Sequence, residues 1–69
     1  MIRKGDKVRV ISNLYKPFNA QYKEYQELIG KTGEVTFRSD DGMAFFVRFS
    51  DKKREYSFGH KQLVKLEEA

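Results

Sequence analysis

The stretch that decides the fold is residues 29 to 50, IGKTGEVTFRSDDGMAFFVRFS. Asp41-Gly42 is its pivot, because Asp-Gly supplies the positive φ that a tight hairpin turn demands. Before the pivot, Glu34 to Arg38 alternates and is rich in β-formers, so it reads as a strand with Val35 and Phe37 inward. After it, Met43 to Phe49 reads as a second strand with Phe45, Val47 and Phe49 on one face. The same stretch holds Gly30-Lys31-Thr32, the tail of the phosphate loop G-x-x-x-x-G-K-[ST]. That motif needs a glycine five residues before Gly30, and Tyr25 stands there. It also needs a helix to follow, where this chain has a strand. No nucleotide is therefore expected to bind. Gly30 and Gly33 read instead as a tight turn at positive φ, which Thr32 suits.

Working outward, Lys7 to Ile11 alternates with Val8 and Val10 inward, giving a first strand after the turn Gly5-Asp6. Residues 12–29 form a long connection that contains Pro17 and the aromatics Tyr15, Phe18, Tyr22 and Tyr25. Within it, Ala20 to Ile29 has helical spacing, with Asn19 as N-cap and Gly30 as C-terminal stop. Beyond the hairpin, Ser50 to Lys53 is a turn and Arg54 to Phe58 a strand with Tyr56 and Phe58 inward. Gly59 to Leu63 has room for one helical turn, and Val64 to Leu66 closes the chain as a short strand. Val8, Val10, Val35, Phe37, Phe45, Val47, Tyr56 and Val64 are the expected core. Five short strands punctuated by turns, with one long connection after the first, predict an all-β chain: a five-stranded, partly open SH3-like barrel. Residues 1–69 are read as a single domain.

At 69 residues, with no cysteine, six Phe and four Tyr, the aromatic rings are expected to supply the core, each burying on the order of 150–250 Å². A domain this small buries only about 60% of the surface of its unfolded chain. The net charge is +4; residues 1–66, which exclude Glu67 and Glu68, carry 14 cations against 8 acids, or +6. Such a surface favours polyanions. The N-terminus has no apolar run of the signal-peptide kind and no stretch reaches membrane-spanning length, so a cytoplasmic monomer with no membrane partner is expected.

KGDKVRVIS (4–12) followed by GKTGEV (30–35) resembles the KOW motif of ribosomal proteins and transcription elongation factors, through Gly5, Asp6, Val8, Val10, Gly30, Gly33 and Val35. This chain carries roughly a dozen extra residues between the two parts, long by ordinary loop priors. The electron-transport accessory group, which includes the nitrile hydratase β subunit and the photosystem I peripheral subunit, is also similar. There the pattern Gly-Asp-x-Val-x-Val, a longer loop and Gly-Lys-x-Gly-x-Val leads to Val47-Arg48-Phe49 and Leu63-Val64. Both resemblances imply an SH3-like barrel. The first implies nucleic-acid binding and the second an accessory protein contact.

Catalytic chemistry has little to stand on. His60 is the only histidine, Ser12, Ser39, Ser50 and Ser57 have no partnered base, and Asp40, Asp41 and Asp51 sit where turns want Asp. Neither an enzyme nor a cofactor or metal site is expected. What remains is a surface. If the valines point in, alternation points Lys7, Arg9, Thr36, Arg38, Phe46 and Arg48 out. An aromatic among arginines can stack on a base. The expected nucleic-acid interface, for RNA or DNA, is Lys7, Arg9, Arg38, Phe46 and Arg48 with the basic turn Lys52, Lys53 and Arg54. The alternative is a protein-interaction module using Tyr15, Phe18, Tyr22 and Tyr25, which the outward acids Glu34 and Glu55 favour by diluting the basic face.

Overall fold

The computed structural model describes residues 2–66, so Glu67 and Glu68 lie outside the described residues. The alternating residues form β1 (Lys7–Val10), β2 (Thr32–Arg38), β3 (Ala44–Arg48), β4 (Glu55–Gly59) and β5 (Leu63–Lys65). These make one sheet in the order β4-β3-β2-β1-β5, with every neighbouring pair antiparallel. The ladder is not closed: β4 and β5 are its two edges. Between β1 and β2 lies a short helix, α1 (Tyr22–Gln26), and a single 3₁₀ turn, His60–Gln62, precedes β5.

The inner face of the sheet carries the core. Val8, Val10, Val35, Phe45, Val47, Phe49, Tyr56, Phe58 and Leu63 are buried there, and Tyr25 and Leu28 from the α1 segment are buried with them. Tyr25 is the hub of the aromatic packing. Its ring lies 4.8 Å from Tyr15, 5.6 Å from Tyr56 and 5.3 Å from Phe58, in the tilted and edge-on arrangements that aromatic quadrupoles prefer. The connection is thus folded down onto the sheet at Tyr25 and Leu28. Asn13 helps to hold it, donating from Nδ2 to the Tyr22 carbonyl at 3.0 Å and accepting the Tyr15 N–H at 3.0 Å. Asn19 does not cap α1 from the N-cap position; that position is Gln21. Its Oδ1 instead accepts the Gln21 N–H at 2.9 Å, an Asx turn that leads into the helix.

Two residues expected in the core lie outside it, each for a reason of register. Phe37 is 49% exposed. Val35 pairs with Val47, but Phe37 pairs with Phe46, so Thr36 and Phe37 together take up a single step of β3. That is a β-bulge, and it turns the remainder of β2 over. Val64 is 42% exposed. The 3₁₀ turn ends one residue earlier than expected, β5 begins at Leu63, and Leu63 takes the inward place opposite Val10 while Val64 pairs with the outward Arg9. A slip of one residue exchanges the faces of a strand. Gly33 is a third correction. It is a strand residue with no positive φ. Its lack of a side chain makes room instead, since a Cβ there would meet Val47 Cγ1 at 2.6 Å and the Arg48 carbonyl at 2.8 Å. Gly30, at φ 89°, does make the turn expected of it.

The hairpin that pivots on Asp41-Gly42 forms as read. Gly42 sits at φ 71°, and the Ser39 hydroxyl donates to Asp41 Oδ1 at 2.6 Å, while the same carboxylate oxygen accepts the Met43 N–H at 3.0 Å.

The open side of the sheet is bridged by side chains. Two backbone N–H groups of edge strand β4 face away from β3: that of Gly59 donates to Gln62 Oε1 at 2.9 Å, and that of Ser57 to the Tyr25 hydroxyl at 3.3 Å. Gln62 in turn donates from Nε2 to the Ser12 carbonyl, just beyond β1, at 3.4 Å. One buried amide therefore links β4 to the far side of the sheet. An unpaired edge is otherwise a template for pairing with another chain.

Candidate functional site

Of the residues that the sequence singled out, Lys7, Arg9, Phe46 and Arg48 lie on the outer face of the sheet. Directly opposite residues in an antiparallel pair share a face, so the register yields two rows. In one, Glu55, Arg48, Glu34 and Lys7 stand side by side across β4, β3, β2 and β1. The charges alternate in sign. Only Lys7 and Glu34 close to ion-pair distance, at 3.4 Å. In the next row, Ser57, Phe46 and Phe37 lie across β4, β3 and β2. The two phenylalanine rings pack at 5.4 Å between centroids with a 39° tilt, and Phe46 stays 42% exposed. Cross-strand aromatic pairing contributes roughly 0.2–1 kcal/mol to the fold.

Arg9 lies on this face too, beyond Lys7 along β1 and opposite Thr32 and Val64. Arg38 does not. The bulge that brings Phe37 out turns Arg38 to the inner side, opposite Phe45. There it is half-buried over the hairpin glycine, its guanidinium filling the space in front of Gly42. Its Nε is buried with no hydrogen-bond partner among the described residues. Thr36, also expected to point out, is half-buried in the bulge.

The basic turn divides in the same way. Arg54 is engaged by its own fold, with its guanidinium 4.4 Å from the centre of the Tyr56 ring and 2.8 Å from Glu24 Oε1. Both hold it in its charged form. Lys53 is exposed, whereas Lys52 is half-buried and lines a groove of about 520 Å³ with Lys7, Thr32, Glu34, Arg48 and Ser50. Among the described residues no carboxylate lies within ion-pair distance of Arg9, Arg48, Lys52 or Lys53.

The aromatic connection is split between core and surface. Tyr25 belongs to the core, and Tyr15 packs against it partly buried, which raises the pKa of its phenol by desolvation and by proximity to Tyr25. Tyr22 is half-buried. Phe18 is 88% exposed and Leu14 63%, the two most open apolar side chains among the described residues.

Lys31, the lysine of the Gly-Lys-Thr run, donates to Asp51 at 2.7 Å and so ties the start of β2 to the β3–β4 turn. This lowers the pKa of the Asp51 carboxyl. Among the described residues no three His, Cys, Asp or Glu side chains converge as metal ligands would, and no helix is long and apolar enough to cross a membrane. His60 is exposed.

Phe37 and the hydroxyls of Thr32 and Ser50 are members of this surface that sequence reasoning missed. No local signal marks Phe37, because its orientation follows from a bulge that exists only once β2 and β3 pair. No family model, no curated protein and no solved structure matches the chain.

Proposed function

We propose that the chain is a non-catalytic binding module on an SH3-like barrel, and that it binds single-stranded nucleic acid across the outer face of β2 and β3. The observation that carries the reading is the exposed Phe37–Phe46 pair with Arg48 two residues along the same face. Base–aromatic stacking contributes about 1–3 kcal/mol per base and tolerates any sequence. The alternating row Glu55, Arg48, Glu34, Lys7 keeps the local field modest, so stacking rather than charge supplies most of the affinity. A nuclear magnetic resonance titration with short RNA and DNA oligomers tests this. The amides of Phe37, Phe46 and Arg48 are expected to shift first, and Phe46→Ala to weaken binding roughly 5- to 150-fold with little change in salt dependence, because stacking releases no counterions. Failure of every oligomer to bind at low salt, where attraction is least screened, would end the reading.

A second reading has its own observation in the exposure of Phe18 and Leu14 on the long connection. A contiguous apolar patch left in water marks a protein contact, and this reading takes Phe18 and Leu14 as parts of one. A protein partner would be lost on Phe18→Ser and untouched by Phe46→Ala, and nucleic acid the reverse.

A further inference from the structure

We infer that the groove beside Arg48 is a phosphate channel, in which Arg48, Ser50 and Lys52 take the backbone phosphates of the strand whose bases lie on Phe37 and Phe46. This rests on the nucleic-acid reading above and adds to it a path, a footprint and a strandedness.

Four features point there. First, three cations, Lys7, Arg48 and Lys52, line the groove with one carboxylate, Glu34, and two hydroxyls, Thr32 and Ser50. Lys7 already meets the Glu34 charge at 3.4 Å, so the cations left over are Arg48 and Lys52. Ammonium and guanidinium groups with nearby hydroxyls are the ordinary complement of a phosphodiester.

Second, a further acid close in sequence, beyond Glu34, is engaged elsewhere. Asp51 sits between Ser50 and Lys52 in sequence, but its carboxylate is drawn to Lys31 at 2.7 Å. The same bridge, with the Lys52 N–H donating to the Phe49 carbonyl at 3.1 Å, holds the wall of the channel in place.

Third, the channel and the aromatic pair are contiguous. Arg48 lines the groove and lies two residues from Phe46 on one face of β3, about 6.6 Å along a strand. An extended nucleotide spans that step, with its base on the phenylalanines and its phosphate at Arg48.

Fourth, the geometry selects a single strand. In a duplex the base faces are stacked inside the helix and cannot reach Phe37 and Phe46, so a duplex would offer only phosphates to two free cations.

The footprint is short, and two phosphate contacts at about 0.7 each set a salt slope near 1.4 for a single strand. The experiment measures the affinity of an oligothymidylate of about eight nucleotides against salt for the parent, Lys52→Ala, Lys61→Ala and Phe46→Ala. Lys61 is the control, an exposed lysine of the 3₁₀ turn that does not line the groove. Lys52→Ala is expected to flatten the slope by about 0.7, Lys61→Ala to leave it unchanged, and a duplex of the same length to bind at least tenfold more weakly. Should Phe46→Ala weaken binding while the two lysine variants alter the slope equally or not at all, the channel is wrong and the aromatic face stands. Inorganic phosphate that saturates the Arg48, Ser50 and Lys52 amides without any binding of the oligomer would assign the groove to a free anion and overturn the strand path. No binding of the parent at low salt overturns both proposals together.

Discussion

Asp41 shows how one side chain ties local chemistry to pH. Its carboxylate accepts the Ser39 hydroxyl and the Met43 N–H, in that order of effect, and both hold its pKa below the ordinary 3.8. Asp6 is lowered by the Arg3 N–H at 2.8 Å and then by Lys65, and Asp51 by Lys31. A carboxyl with a depressed folded pKa adds stability that is fully present above 3.8 and disappears as pH falls through the lower folded value. Melting temperature should therefore hold steady from neutral pH to just above 3.8 and decline below it. Asp41→Asn keeps an acceptor oxygen but loses the charge, so its acid decline should be shallower than the parent's. A decline of equal steepness in the two proteins would contradict the role given to Asp41. This residue was legible as a turn former, because Asp-Gly carries its own conformational preference. Phe37 was not, although its neighbours are the same kinds of residue, since nothing in its local spacing distinguishes a regular strand from a bulged one.

At the scale of elements, the hairpin and the inward faces of β1, β3 and β4 follow from alternation, whereas the edges follow from partners far apart in the chain. Gln62 is the clearest case. It reads as an unremarkable polar residue in a short turn, yet it is buried and spans the open side of the sheet, from the Gly59 N–H to the Ser12 carbonyl. Gln62→Leu keeps the bulk and removes both bonds, leaving the Gly59 N–H without its acceptor. The expected loss is about 1–3 kcal/mol, with the Gly59 amide exchanging hydrogen faster than its β4 neighbours. Unchanged protection at Gly59 would show that the bridge does not hold the edge. Tyr25 works beside it through both ring and hydroxyl. That dual use explains why a helix of only five residues, too short to persist alone, forms here: tertiary packing of Tyr25 and Leu28 holds it.

For the molecule as a whole, the margin is narrow. At roughly 0.05–0.15 kcal/mol per residue, a chain of 69 residues has about 3–10 kcal/mol of stability in total. Phe45→Ala should remove about 3–5 kcal/mol by emptying a buried ring site, enough to unfold much of the population in the weaker part of that range. Chemical denaturation checks this, and a variant as stable as the parent would mean that Phe45 is not in the core. By itself the sequence determined that the chain is mostly β, that it has five strands and one short helical segment in a long connection, that the turns fall where Asp-Gly and Gly30 stand, and that Val8, Val10, Phe45, Val47, Phe49, Tyr56 and Phe58 face inward. Those features are written in nearest-neighbour preferences and period-two alternation, which act within a few residues. Only the tertiary structure decided that Phe37 and Phe46 share the outer face, that Arg38 leaves it, that Val64 lies outside the core and that Glu34 and Glu55 alternate with Lys7 and Arg48. Each depends on which residue of one strand stands opposite which residue of another, and a one-residue change in that pairing reverses every side chain beyond it.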